Sequence, residues 1–113
     1  MEKKENLIGK ALNFKNLVEY NTSSIVSRSI IDDKAGRITL FAFDAGEKLS
    51  PHLTPYDALI QIVEGEGEII IDDKSHMVKE GEFIILPKHI MHAVNANKRF
   101  KMLLTLIKSG QKE

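Results

Sequence analysis

The chain has 113 residues, of which 42% are hydrophobic and 28% charged; that fits one soluble globular domain and excludes disorder or a fibrous repeat. Sixteen Lys+Arg balance sixteen Asp+Glu, so no global field draws in nucleic acid or an anionic membrane, and the missing colloidal repulsion favours self-association. With no cysteine, disulfides, thiolate metal ligands and a cysteine nucleophile are excluded, and His, Asp, Glu and Gln are left as metal donors.

The first residues lack an apolar signal core, and no run of about 18 apolar residues is present to span a membrane, which sets the expectation of a cytoplasmic protein. Residues 1–10 and 109–113 read as flexible tails around one domain at 11–108. From Ala11 to Tyr20, the apolar residues Leu12, Phe14, Leu17 and Val18 predict a short helical segment of one to three turns. Asn21, Thr22 and Ser23 form a glycosylation sequon but read as a polar turn, since no secretory signal accompanies them.

Downstream, short β-branched runs alternate with turn residues, the pattern of an all-β sandwich or barrel. Ser24–Ile31 and Arg37–Phe43 flank the turn-forming stretch Asp32–Gly36 and predict a hairpin, after which Asp44–Glu47 ends the second strand. Ala58–Val63 and Glu68–Ile71 are joined through Gly65 and Gly67; no helix follows that Gly-x-Gly, which argues against phosphate binding. A further hairpin turns at Asp72–Lys74, Glu82–Leu86 stops at Pro87, and the last strand is Phe100–Ile107. About eight such strands hide their edges best when rolled into a jelly roll or closed barrel.

The four histidines stand at 52, 76, 89 and 92. His52 lies six positions after Gly46, with Gly65 thirteen later; His92 lies five after Pro87 and eleven after Gly81. This frame resembles the two motifs of the cupin superfamily, Gly-x5-His-x-His-x3-Glu-x6-Gly and Gly-x5-Pro-x-Gly-x2-His-x3-Asn, over roughly Arg37 to Ile107. The resemblance implies a small single-domain cupin jelly-roll β-barrel. The first motif is degenerate: Thr54 stands at the second histidine position and Ala58 at the glutamate position. In the second, His89 replaces the inner glycine and Ala96 the terminal asparagine.

Of the family's metal ligands only His52 and His92 carry over, which rules out a three-histidine, one-carboxylate centre. The resemblance implies either a divalent Fe, Mn, Ni or Zn ion weakly held by these two, or no cofactor. Strand alternation places Thr54, Ala58, Ile60 and Ile62 on the face of His52, with Asp57 and Gln61 opposite. Thr54, Tyr56 and His89 are the candidate ligand-binding residues, His89 as a loop histidine that would swing toward the barrel mouth. His76 reads as a surface residue. Lys98, Arg99 and Lys101 read as a solvated strand entrance rather than a nucleic-acid grip.

The expected function is a binding module for a small-molecule ligand, with apolar walls from Ile60, Ile62, Ile84, Leu86 and Val94 and polar anchors from His52, Thr54 and His92. One alternative is a metal-dependent enzyme of the cupin oxygenase or isomerase type, with His89 or water completing the His52–His92 site. A second is a regulatory or structural homodimer built on the outer strand faces. No hydrolase elbow, zinc-protease motif or P-loop is present.

Overall fold

The structure, a computed structural model, describes residues 6–108; residues 1–5 and 109–113 of the predicted tails lie outside it. It is a two-sheet β-barrel. The strands in chain order are β1 (Ile25–Asp33), β2 (Gly36–Phe43), β3 (Lys48–His52), β4 (Asp57–Glu64), β5 (Glu66–Ile71), β6 (Lys74–Lys79), β7 (Phe83–Leu86), β8 (His92–Asn95) and β9 (Phe100–Ile107). One sheet runs β1-β2-β9-β4-β7 and the other β3-β8-β5-β6, every pairing antiparallel. Among the described residues no helix is long and apolar enough to cross a membrane.

The predicted helical segment at 11–20 is reduced to one 3-10 turn, Phe14–Asn16, capped by the Asn13 side chain, which accepts from the Lys15 amide at 3.0 Å. Two asparagines in this stretch favour turns over helix, and so short a helix gains little from its own hydrogen bonds. Its apolar residues find partners without a helix: buried Val18 joins Leu40, Ala42 and Leu103 on the outer face of β2 and β9, with Phe14, Leu17 and Tyr20 packed around them. The segment thus covers sheet surface that would otherwise face water.

A polar clamp holds it there. Lys101, only 6% exposed, donates to the Lys15 carbonyl at 2.6 Å and lies 3.7 Å from Glu64. The Tyr20 hydroxyl donates to Glu64 at 3.0 Å, and the Lys101 ammonium sits 4.9 Å from the Tyr20 ring centroid. Burial, then the neighbouring Glu64 carboxylate, holds the Tyr20 hydroxyl well above its usual range. The expectation that Lys98, Arg99 and Lys101 form a solvated cluster holds at Lys98 and Arg99, which are exposed, Arg99 pairing with Asp44 at 2.8 Å, and fails at Lys101, which is buried beneath the N-terminal segment.

Inside the barrel, Phe43 and Phe100 stack with centroids 4.7 Å apart, and Ile60, Ile62, Ile69, Val94 and Met102 fill the space around them. Gly67 is required by that packing, because a Cβ there would lie 2.6 Å from Phe100 Cε2. The β5–β6 turn needs Asp72 and Asp73 at φ 49° and 70°, the doubly left-handed pair of a type I′ hairpin, which aspartate tolerates. The predicted Asp32–Gly36 loop is shorter than expected: the strands run to Asp33 and resume at Gly36. The sequon at Asn21 does lie in a turn, closed by the Ser24 amide donating to the Asn21 carbonyl at 3.2 Å.

Candidate functional site

The aromatic and aliphatic packing plugs only part of the barrel. Near the outer ends of β2, β4, β7 and β9 a cavity of about 250 Å³ remains, lined by Ala58, Leu86, Leu104 and Leu106 as an apolar floor and by His52, His92, Thr54, Tyr56, Arg37 and Lys108 as its polar side. Strand register explains much of this set. Arg37 pairs with Leu106, Leu106 with Ala58, and Ala58 with Leu86, so these four form one row across the sheet and turn the same way.

The two motif histidines arrive from the other sheet. His52 and His92 are register partners in the β3–β8 ladder, and their ring centroids lie 4.4 Å apart at 64°. His92 is buried, at 5% exposure, whereas His52 is exposed. His52 Nδ1 lies 3.0 Å from the Ser50 carbonyl. A carbonyl only accepts, so Nδ1 carries a proton, and in the corresponding neutral tautomer the lone pair is on Nε2. His92 Nδ1 is buried with no hydrogen bond of good geometry, and the Ile90 backbone makes only a weak contact with the ring. Burial lowers the His92 pKa, the neighbouring His52 lowers it further, and the Ile90 backbone acts weakly the other way.

The remaining predicted residues divide. Thr54 and Tyr56 line the cavity; Thr54 Oγ1 accepts from the Tyr56 amide at 3.2 Å, which fixes the approach to β4. His89 does not line it. It is exposed at φ 64°, and its amide donates to the Thr54 carbonyl at 2.9 Å, so the position that is glycine in the family's motif takes the left-handed backbone a tight turn requires. Of the expected apolar walls, Leu86 faces the cavity, whereas Ile60, Ile62 and Val94 are buried in the core and Ile84 packs against it. Asp57 and Gln61 are exposed, as alternation predicts, and Asp57 pairs with Lys88 at 3.7 Å. His76 is exposed on β6.

Arg37, Lys108, Leu104 and Leu106 are lining residues that sequence reasoning missed. The Lys108 ammonium stands 5.5 Å from the Tyr56 ring centroid, and Arg37 Nε lies 3.5 Å from Asp32. The signal for Arg37 was its inward parity, two positions before Thr39 and four before Phe41 along one strand face.

The donor set does not fit a tightly held catalytic metal. Such a centre uses three protein ligands, and among the described residues no group of three or more His, Asp or Glu side chains is placed to hold one. His52 and His92 offer two imidazoles, and Thr54 and Ala58 add no strong ligand.

Residues 39–107 match the family model described as a cupin domain. A conserved protein of unknown function from Streptococcus pyogenes is 33% identical and superposes with a TM-score of 0.86 over 91% of this chain and 90% of that one. A cupin 2 conserved barrel domain protein from Leptotrichia buccalis is 41% identical, with a TM-score of 0.80 over 83% of this chain but 46% of that one. A salicylate 1,2-dioxygenase variant from Pseudoaminobacter salicylatoxidans, 13% identical with a TM-score of 0.69 over 74% of this chain and 26% of that one, shares the fold alone. Among curated proteins none matches.

Proposed function

The chain belongs to the cupin family, and from that premise we propose that it binds a small organic molecule in the barrel mouth. The observation that carries this reading is the cavity itself: an apolar floor at Ala58, Leu86, Leu104 and Leu106 beneath a rim of Thr54, Tyr56, His52 and His92. Apolar surface with a few convergent polar groups is the usual make-up of a small-molecule site. The imidazoles of His52 and His92 on that lining support it, because a histidine ring can donate to or accept from a ligand's polar atoms. A divalent ion held weakly through the two imidazoles is compatible with this role. A metal-dependent oxygenase or isomerase ranks below it, since the donor set stops at two histidines. The cysteine-free chain suits the reducing cytoplasm we assign to it.

A thermal-shift panel of sugars, flavonoids, carboxylates and divalent ions tests the reading. A ligand at a hundred times its dissociation constant adds about 2.7 kcal/mol of stability. At least one organic class should raise the midpoint of the native chain and lose that effect in Ala58→Leu, which fills the cavity. If no class does so, the proposal fails.

Self-association is a second reading, favoured by the edge strand β7. Phe83 and Ile85 are 60% and 61% exposed, and this Phe-Ile-Ile-Leu edge carries no charge, whereas the opposite edge β1 carries Arg28, Asp32 and Asp33. Edge strands normally carry charges that block strand pairing. A second copy placed antiparallel along β7 would cover that edge in a two-fold homodimer, and light scattering of the native chain and of Ile85→Lys measures it. A native chain that is monomeric at working concentration ends this reading.

A further inference from the structure

We propose that the molecule taken by the barrel mouth is a small organic carboxylate, its carboxylate held between Arg37 and Lys108 and its apolar body laid on the floor of Ala58, Leu86, Leu104 and Leu106. This rests on the small-molecule reading above and adds the ligand's chemical class.

Three observations converge on it. The first is the sign of the lining: Arg37 and Lys108 are cationic, and none of the described residues that line the cavity is acidic. Positive charge over a low-dielectric floor raises the local concentration of anions, an effect the zero net charge of the whole chain conceals. The second is the register. Arg37 takes the inward place in a row otherwise made of Leu106, Ala58 and Leu86, so its guanidinium is anchored at the edge of the apolar surface it would serve. Its ion pair is with Asp32, 3.5 Å away, with the two side chains 45% and 65% exposed. An exposed pair of this kind contributes little and leaves most of the guanidinium's five donors available.

The third is the arrangement around the cations. Tyr56 holds the Lys108 ammonium at 5.5 Å from its ring, which keeps a flexible side chain at the rim. His92 lines the same cavity, and its imidazole adds a ring that can hydrogen-bond a second ligand oxygen. A planar carboxylate matches the guanidinium fork, and the floor adds affinity only for an ion with a carbon body. At about 250 Å³ the cavity lies below the roughly 300–1,000 Å³ of drug-sized sites, which points to a ligand with a single ring or a short chain.

The experiment titrates the full chain at neutral pH and low salt with benzoate, its neutral isostere benzamide, and phenyl phosphate. Heat and the NMR resonances of Tyr56, His92 and Leu106 are followed. Benzoate should bind at least about tenfold more tightly than benzamide, the scale of one charge-assisted contact. Arg37→Gln and Lys108→Gln should each cut that preference to about threefold or less while the variants keep the native spectrum. Benzamide binding as tightly as benzoate, phenyl phosphate binding more tightly than benzoate, or a preference that survives both substitutions overturns the carboxylate assignment and leaves the small-molecule reading standing. Failure of all three compounds to move those resonances also overturns the carboxylate assignment, and the thermal-shift panel of ligand classes then decides the small-molecule reading separately.

Discussion

His52 and His92 face each other as register partners across β3 and β8, their rings meeting edge to face at 4.4 Å. The pairing is asymmetric. His52 is exposed and fixed through Nδ1 to the Ser50 carbonyl, whereas His92 is buried and its Nδ1 makes no hydrogen bond of good geometry. Two imidazoles this close repel when both are protonated.

That asymmetry predicts an acid-sensitive fold. The native His92 pKa lies below the ordinary value near 6.5, through burial and then through His52. The unfolded chain therefore takes up a proton in a range where the folded chain does not, so the contribution is fully present above about pH 6.5 and is lost as pH falls through the native value. Thermal midpoints measured at intervals downward from neutral pH should decline in that window, and His92→Gln should flatten the decline. Glu80, Asp44 and Glu68, whose carboxyls are lowered by hydrogen bonds from Lys15, Arg99 and Ser75 respectively, act in a separate, more acidic window. An identical profile in His92→Gln would assign the sensitivity elsewhere.

Metal binding by the pair should be weak and reversible. Zinc added to the protein should move the His52 and His92 resonances together, dialysis against chelator should restore them, and His52→Ala or His92→Ala should each abolish the response. Retention of stoichiometric metal through chelator would require a third ligand that the described residues do not supply.

Gly67→Ala should destabilise the barrel by about 1–3 kcal/mol, the usual cost of overpacking, because the new Cβ meets the Phe100 ring at 2.6 Å and Phe100 is stacked on Phe43 and cannot retreat. Urea unfolding gives the number. A change within about 0.5 kcal/mol, the range of ordinary surface substitutions, would mean that the ring has room to move.

Lys101→Met should loosen the N-terminal segment more than the barrel. The substitution removes the donor to the Lys15 carbonyl and leaves Glu64 with Tyr20 alone; a buried group left without its partner costs about 1–3 kcal/mol. Hydrogen exchange should rise at Leu17 and Val18 while the amides of β4 and β9 stay protected. Equal loss of protection throughout would show that the segment and barrel unfold as one unit.

Much of the architecture was legible from local chemistry. Gly46, Gly65, Gly81 and Pro87, spaced around His52 and His92, carried the family resemblance, and period-two alternation placed Ala58, Ile60 and Ile62 inward and Asp57 and Gln61 outward. Backbone preferences of this kind act over a few residues, so the sequence alone expresses them. The helix expected at 11–20 shrank to one turn because its apolar residues are satisfied by the outer face of β2 and β9, a surface that exists only after the sheet has formed. Which inward positions border empty space and which fill the core was likewise decided by packing: Ile60 and Val94 are buried in the core away from the cavity, whereas Leu86, also buried, and the partly buried Leu104 and Leu106 line it. Arg37 and Lys108 look like ordinary surface cations along the chain. They became part of the site because antiparallel register carried Arg37 into the row of Leu106, Ala58 and Leu86, and placed Lys108 over Tyr56, fifty-two positions earlier in the chain. Contacts over such separations depend on closure of the barrel, which no local window of sequence specifies.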